Sequence, residues 1–144
     1  MIFQNSQTTS KPIMVSNNNI SPFLAEITKY MESKGVQLTP LPKVVINRDN
    51  KYEFDPFGKT AYYDPENKIV VLFVAGRHIK DILRSFAHEM IHHNQNITGM
   101  FDSSHLGALG NPRYAENDEH LRNMEKDAYL RGNILFRGFE DQYK

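Results

Sequence analysis

The stretch Ser85-Phe-Ala-His-Glu-Met-Ile-His-His-Asn94 contains His88-Glu89-x-x-His92. At this spacing two imidazoles project from the same face of adjacent helical turns. Apolar residues recur around the motif at helical spacing, from Arg77 to about Ile97, which predicts one amphipathic helix that carries both histidines. Two nitrogen donors on one face of a helix can bind the same tetrahedral metal ion.

The carboxylate beside the first histidine has a chemical use of its own. Zinc with three protein ligands keeps a fourth position for water and lowers the pKa of that water toward neutrality. Glu89 is then expected to accept the proton of this water and later to pass it to the leaving amine. The pattern predicts a zinc-dependent metallopeptidase in which His88 and His92 are ligands and Glu89 is the catalytic base.

A third ligand has to come from elsewhere in the chain. A metzincin would continue the motif as His-x-x-Gly-x-x-His, but Gln95 and Thr98 stand at those positions, so that class is excluded. A glutamate on a later helix is a natural candidate. Glu125, Ala128 and Gly132 fall on one face of the predicted last helix, and the two small residues would let that helix approach the metal-binding helix closely. The alternative interpretation of Glu125 is a solvated carboxylate that the helix dipole favours.

The remaining periodicities predict a small α+β domain, residues 21–144, that follows a flexible leader, residues 1–20. Residues 4–19 are dominated by Gln, Asn, Ser and Thr, a composition that buries too little apolar surface to offset its ordering entropy. Ser21 followed by Pro22 is typical of a helix start, and apolar residues recur at helical spacing from there to residue 34.

The predicted sheet has about three strands. Val44-Val45-Ile46 is a short β-branched run, and two hairpin arms, residues 59–63 and 69–74, flank a turn sequence. The second arm is predicted to align a peptide substrate through backbone hydrogen bonds. A last helix, capped by Asn117 or Asp118, completes the set of about three helices. Its predicted packing side consists of Leu121, Met124, Ala128, Tyr129, Ile134 and Leu135.

Composition limits the functions that remain. Lysine plus arginine equals aspartate plus glutamate at 17 each, so no overall charge attracts the chain to nucleic acid or to an anionic membrane. The absence of cysteine excludes disulfides, a thiol nucleophile and every cysteine-based zinc site, so a metal must bind nitrogen and oxygen ligands. Neither a signal peptide nor a membrane-spanning stretch is predicted. The expected partner is a peptide or protein substrate in the cytoplasm.

The motif and the distant glutamate resemble a known family. His88-Glu-x-x-His92 followed about thirty residues later by Glu125-x-x-Ala128 is similar to the gluzincin pattern of small zincin-like metallopeptidases, the minigluzincin and ImmA/IrrE-like group. The resemblance covers residues 21–138. It implies a helix-packed sheet, one zinc ion held by His88, His92 and Glu125, and a substrate that lies extended along the edge strand. The commoner form is Glu-x-x-Ala-Asp, but Tyr129 stands in place of the aspartate here, which weakens any assumed contact from this position to a zinc-binding histidine.

A second resemblance leads to a different third ligand. His88-Glu-Met-Ile-His92 followed by His105-Leu-Gly107 is similar to the SprT-like peptidases, in which a histidine of the following loop completes the zinc site. This implies His105 in place of Glu125. SprT-like proteins usually add basic DNA-binding elements, and many have a zinc ribbon, whereas this chain has neutral net charge and no cysteine. The motif region also looks like that of small phage metallopeptidases, which implies a virus-encoded protein.

Tyr114 and His93 are two further residues that could belong to the site. Tyr114 lies between the two metal-binding helices and is a candidate donor to the oxyanion of a tetrahedral intermediate, or else a tyrosine packed under a loop. His93 points about a third of a turn away from the ligand pair and is predicted to be a surface or hydrogen-bonded residue, not a ligand.

The competing function is a non-catalytic structural or regulatory module that zinc stabilises. A fourth protein ligand would distinguish that module from an enzyme.

Overall fold

Three helices and one small mixed sheet make up the described part of the chain, so the predicted α+β class is confirmed. A computed structural model describes residues 2–5, 20–49, 60–101 and 119–142. Four residues singled out from the sequence lie outside these ranges. They are His105, Tyr114 and the two predicted cap residues, Asn117 and Asp118.

The sheet has the strand order β1, β2, β4, β3. Its strands are β1 (Ile2–Asn5), β2 (Lys43–Asn47), β3 (Ala61–Asp64) and β4 (Ile69–Phe73). β4 is parallel to β2 on one side and antiparallel to β3 on the other, so both of its backbone edges are used in the sheet. The prediction that residues 69–74 align a substrate is therefore wrong. Among the described strands, β3 lies at the sheet edge and pairs with β4 alone.

β1 lies at the opposite edge of the sheet from β3. It pairs in parallel with β2, from Ile2 opposite Lys43 to Asn5 opposite Ile46. These four residues belong to the segment predicted as a flexible leader, so a strand is present where the composition favoured an unstructured chain. Residues 6–19 lie outside the described ranges, and the domain boundary at residue 21 stays a prediction.

The helices are α1 (Ser21–Ser33), α2 (Ile79–Ile97) and α3 (Glu119–Asp141). Ile20, and not Ser21, takes the cap position of α1, and no side chain caps it, although Pro22 lies in the first turn as expected. His78 caps α2, because its Nδ1 accepts a hydrogen bond from the Lys80 backbone N–H at 3.0 Å. None of the helices in the described ranges is long and apolar enough to cross a bilayer.

The hydrophobic core surrounds α2. This helix contacts β3 and β4 of the sheet as well as both other helices. Alternation in β2 places Val44 and Ile46 inside, and the apolar stripe of α2 adds Phe86 and Met90. The helix that carries the His88-Glu-x-x-His92 motif therefore packs against the sheet and against both other helices, which fixes its position.

α3 packs on α2 through a narrower face than predicted. Tyr129 and Ile134 were expected in the contact but are 67% and 60% exposed. The residues that α3 buries recur every three or four positions and form one face of the helix. Tyr129 and Ile134 lie outside this face and point towards solvent. The buried residues of α3 are Leu121, Met124, Ala128, Gly132, Leu135, Phe136 and Phe139.

Gly132 lets α2 and α3 touch along their backbones. A Cβ at this position would lie 3.0 Å from the Cα of His88 and 3.1 Å from its backbone nitrogen. These neighbours belong to a helix backbone and cannot rotate away as the end of a side chain could. Ala128, one turn earlier in α3, is fully buried as well. The close approach that the small residues predicted is therefore present, and it brings Glu125 near α2.

A branched side chain at position 132 tests this approach. We expect Gly132→Val to lower the free energy of unfolding by about 1–3 kcal/mol, because the new methyl groups would meet backbone atoms of α2. Urea unfolding followed by circular dichroism measures the change. Leu130→Val is the matched control, since Leu130 is exposed in the same helix and its replacement adds only the helix-propensity cost of β-branching. Equal losses in the two variants would contradict the close packing.

Candidate metal centre

His88, His92 and Glu125 meet where α3 crosses α2. The Glu125 carboxylate lies between the imidazoles, with Oε1 2.7 Å from His88 Nε2 and Oε2 3.0 Å from His92 Nε2. The candidate ligand atoms of the three residues all lie within 4.8 Å of one another. A tetrahedral zinc ion holds its nitrogen and oxygen ligands roughly 3.3 Å apart at ordinary bond lengths. Small side-chain rotations would therefore bring the three groups onto one ion.

Local structure explains how these side chains converge. His88 and His92 are one turn apart in α2, and their ring centroids are 5.0 Å apart. The His92 side chain is only 5% exposed, whereas that of Glu125 is 37% exposed. One ligand thus lies in the protein interior and another near solvent, so the cluster forms at the floor of an accessible site.

The cluster opens into a cleft of about 390 Å³, a volume in the range of small-molecule and peptide sites. Residues 60–63, at and before the edge strand β3, form one wall, and α2 and α3 form the others. Ser85 Oγ donates to Thr60 Oγ1 at 3.0 Å and joins α2 to the start of β3. A molecule in this cleft would contact the edge strand and the candidate ligands together.

Glu89 lines the same cleft and is buried beside the cluster. Burial raises the pKa of its carboxyl group, while the neighbouring His92 and His88 act in the opposite direction. A carboxylate with a raised pKa accepts a proton more readily than an exposed one. The residue is therefore suited to the general-base role that the sequence predicted for it.

Gln95 sets the orientation of the His92 ring, a contact that the sequence analysis missed. His92 Nδ1 lies 2.9 Å from Gln95 Oε1, an atom that can only accept a hydrogen bond. Nδ1 must therefore carry a proton, and Nε2 faces Glu125. Burial lowers the pKa of His92, but the hydrogen bond to Glu125 and the charge of Glu89 outweigh it, so the pKa is raised. Gln95 follows His92 by three residues on the same helix, and this spacing is the sequence feature that could have predicted the contact.

His93 is buried but faces away from the cluster. Its Nε2 donates to the carbonyl oxygens of Pro40 at 2.7 Å and Leu38 at 3.1 Å, and its Nδ1 accepts from the Tyr63 hydroxyl at 2.8 Å. Burial lowers the pKa of His93, although the two carbonyls oppose this shift, and burial raises the pKa of Tyr63 to about 12. The prediction of a hydrogen-bonded histidine outside the ligand pair is confirmed.

The structure brings four of the predicted site residues together: His88, Glu89, His92 and Glu125. His105 and Tyr114 lie outside the described residues, so the choice of third ligand and the oxyanion role of Tyr114 stay predictions. The Tyr129 ring lies edge-on to His88 with centroids 6.4 Å apart. It does not take the place of the aspartate contact that the commoner gluzincin form would supply.

Comparisons with protein-family models, with curated proteins and with solved structures found no match. The resemblance to gluzincins therefore depends on the two sequence motifs alone, His88-Glu-x-x-His92 and Glu125-x-x-Ala128. Evidence for a function comes from the arrangement of His88, Glu89, His92 and Glu125 around the cleft.

The adjacent histidines permit a matched test of the metal site. His92→Gln should remove bound zinc, because an amide is a poor substitute for an imidazole ligand. His93→Gln should retain zinc but unfold at a lower urea concentration, since a lost buried hydrogen bond costs about 1–3 kcal/mol. Metal analysis after dialysis and urea titration measure the two effects. Zinc retained by His92→Gln would contradict the proposed ligand.

The third ligand can be decided by a second pair of variants. We expect Glu125→Ala to lose zinc, since its carboxylate contacts both imidazoles, and His105→Ala to retain it. Metal content of the purified proteins, with circular dichroism to verify folding, gives the comparison. The opposite pattern would assign the third position to His105.

Proposed function

We propose that the chain is a zinc-dependent metallopeptidase with a zincin-like fold of the minigluzincin type. One observation carries the proposal: the His88, His92 and Glu125 cluster shares a cleft with Glu89 and with the edge strand β3. In this proposal the first three residues are zinc ligands and Glu89 is the general base.

The donor set supports zinc. Two imidazoles and one carboxylate form a ligand set found in catalytic zinc sites, and such a set leaves one position of a tetrahedral ion open. Bound there, zinc would supply Lewis-acid chemistry that polarises a carbonyl group and acidifies a water molecule. Within the described ranges the cluster has three ligand residues, not four, which favours an open catalytic site over a closed structural one.

Glu89 moves the proton in the proposed reaction. Its carboxylate accepts a proton from water as the water oxygen forms a bond to the peptide carbonyl carbon. The same carboxyl group then gives the proton to the amide nitrogen as the C–N bond breaks, and an amine and a carboxylic acid leave. The raised pKa of Glu89 suits the first step, because a less acidic carboxyl group takes up a proton more readily.

An extended peptide is the proposed substrate. β3 borders the cleft and lies at the edge of the described sheet, and an extended peptide can add to an edge strand through main-chain hydrogen bonds. Tyr62 on β3 and Tyr129 on α3 are both exposed and line the cleft from opposite sides. Aromatic side chains on both walls provide apolar contact area for substrate side chains.

A cytoplasmic location belongs to the same proposal. The absence of cysteine is compatible with this location, since the fold depends on no disulfide that a reducing compartment would break.

Replacing the base while keeping the ligands tests the mechanism. Glu89→Gln should retain zinc and the fold but reduce hydrolysis by about 10²–10⁴-fold, because an amide cannot accept the proton. Cleavage of an unstructured protein such as casein, followed by mass spectrometry, measures the rate. Glu26→Gln is the control, since Glu26 is an exposed carboxylate of α1 outside the cleft. Proteolysis at the wild-type rate in Glu89→Gln would refute the mechanism.

A further inference from the structure

Behind the candidate ligands, Gln95 connects His92 to Asp127. The Gln95 side chain is fully buried, and its amide nitrogen donates to the Met124 carbonyl at 2.8 Å and to Asp127 Oδ2 at 2.9 Å. Both of its N–H groups are thereby used. Its remaining polar atom, Oε1, faces His92 Nδ1 at 2.9 Å. The orientation of the amide therefore depends on the two acceptors that hold its nitrogen.

Arg131 holds Asp127 as an acceptor. Arg131 Nε donates to Oδ1 at 2.8 Å and Nη2 donates to Oδ2 at 2.6 Å, a two-point contact one turn along α3. An ionised carboxylate can only accept hydrogen bonds. Gln95 must therefore present its nitrogen, and not its oxygen, to Asp127.

The same arginine reaches a third part of the fold. Its Nη2 also donates to Asn94 Oδ1 at 3.1 Å, and Asn94 Nδ2 donates to the Gln37 carbonyl at 2.8 Å. These bonds join α3 to α2 and to the segment that follows α1. Arg131 is thus fixed from both sides, and with it the position of Asp127.

The hydrogen bonds that lead from Arg131 through Asp127 and Gln95 to His92 each have only one possible donor. Arginine can only donate hydrogen bonds, and the carboxylate can only accept them. The Gln95 amide donates through its nitrogen and accepts through its oxygen. His92 Nδ1 is left to donate to Gln95 Oε1. The ring then has its Nε2 directed at Glu125 and the cluster.

From this network we infer that Asp127 is a positioning residue for metal binding, which acts through Gln95 to hold His92 as the Nδ1–H tautomer with Nε2 directed to the ion. The inference rests on the metal site of the proposed function. It does not depend on the peptidase reaction, because its test measures metal binding alone. Partners that orient a ligand histidine typically change metal affinity by about 10–100-fold when they are replaced.

Asp127→Asn is the first variant. Asp127 Oδ2 accepts from both Gln95 and Arg131, and an asparagine can no longer offer two accepting oxygens. Only the Met124 carbonyl then still holds the Gln95 nitrogen, so the amide turns more easily and can present N–H to His92. We expect the zinc dissociation constant, measured by chelator competition, to rise about 10-fold or more. We also expect the visible absorption spectrum of the cobalt(II)-substituted protein to change, because a reoriented imidazole alters the ligand field.

Glu140→Gln is the matched control. It breaks another ion pair between α3 and α2, that of Lys80 Nζ and Glu140 Oε2 at 2.9 Å, and Glu140 does not line the metal cleft. Its zinc dissociation constant should stay within about twofold of the wild-type value, as expected for a partly exposed ion pair. Urea unfolding of the metal-free proteins shows whether the two substitutions cost similar stability.

A double-mutant cycle separates positioning from a purely structural role. Gln95→Met keeps the side-chain volume but removes the acceptor of His92 Nδ1, so it should weaken zinc binding as well. If Asp127 acts through Gln95, Asp127→Asn should add little to this loss in the Gln95→Met background. Additive losses, or an unchanged affinity and cobalt spectrum in Asp127→Asn, would overturn the inference while zinc binding by the wild type persists. A wild-type chain that binds no zinc would instead refute the metal site itself, and both proposals with it.

Discussion

The contact between Gly132 of α3 and the backbone of His88 in α2 sets the distance between the two long helices. Because a Cβ is absent there, Glu125 comes within 3.0 Å of both imidazoles. A side chain of ordinary size at position 132 would separate the helices and move the carboxylate away from the histidines. The candidate metal centre is thus a consequence of backbone packing as much as of the three ligand residues.

The two sides of α2 near the motif perform different tasks. On the cleft side, His88, Glu89 and His92 face the edge strand β3 across the cleft. Behind them, polar side chains are buried and hydrogen-bonded, as buried polar groups must be if they are not to destabilise the fold. On this side Gln95 connects His92 to Asp127.

Much of the fold could be predicted from the sequence, because periodicity and turn residues act locally. The motif helix, the hairpin and the convergence of Glu125 on the two histidines follow from spacing and residue size. Strand order does not follow from local patterns, so the sequence could not show that β4 pairs with β2 on one edge and with β3 on the other, which leaves no edge for a substrate. Likewise β1 overlaps the start of the polar segment 4–19, where composition predicted no strand, and it pairs with β2. Gln95 and Asp127 escaped notice because amides and carboxylates are ordinary on helix surfaces, and only the helix packing shows them to be partners.

Adjacent histidines, His92 and His93, anchor α2 on two different sides, towards α3 and towards β3. His93 bonds to Tyr63, and Tyr63 also belongs to the strand that walls the cleft. Rotation of α2 about its axis would break hydrogen bonds on both sides at once, so the width between strand and helix is fixed before any ligand arrives. Such preorganisation removes part of the entropy loss on association. In the proposed peptidase a substrate would have to enter this cleft as an extended chain, because β3 is hydrogen-bonded to α2 and cannot move aside to admit a folded segment.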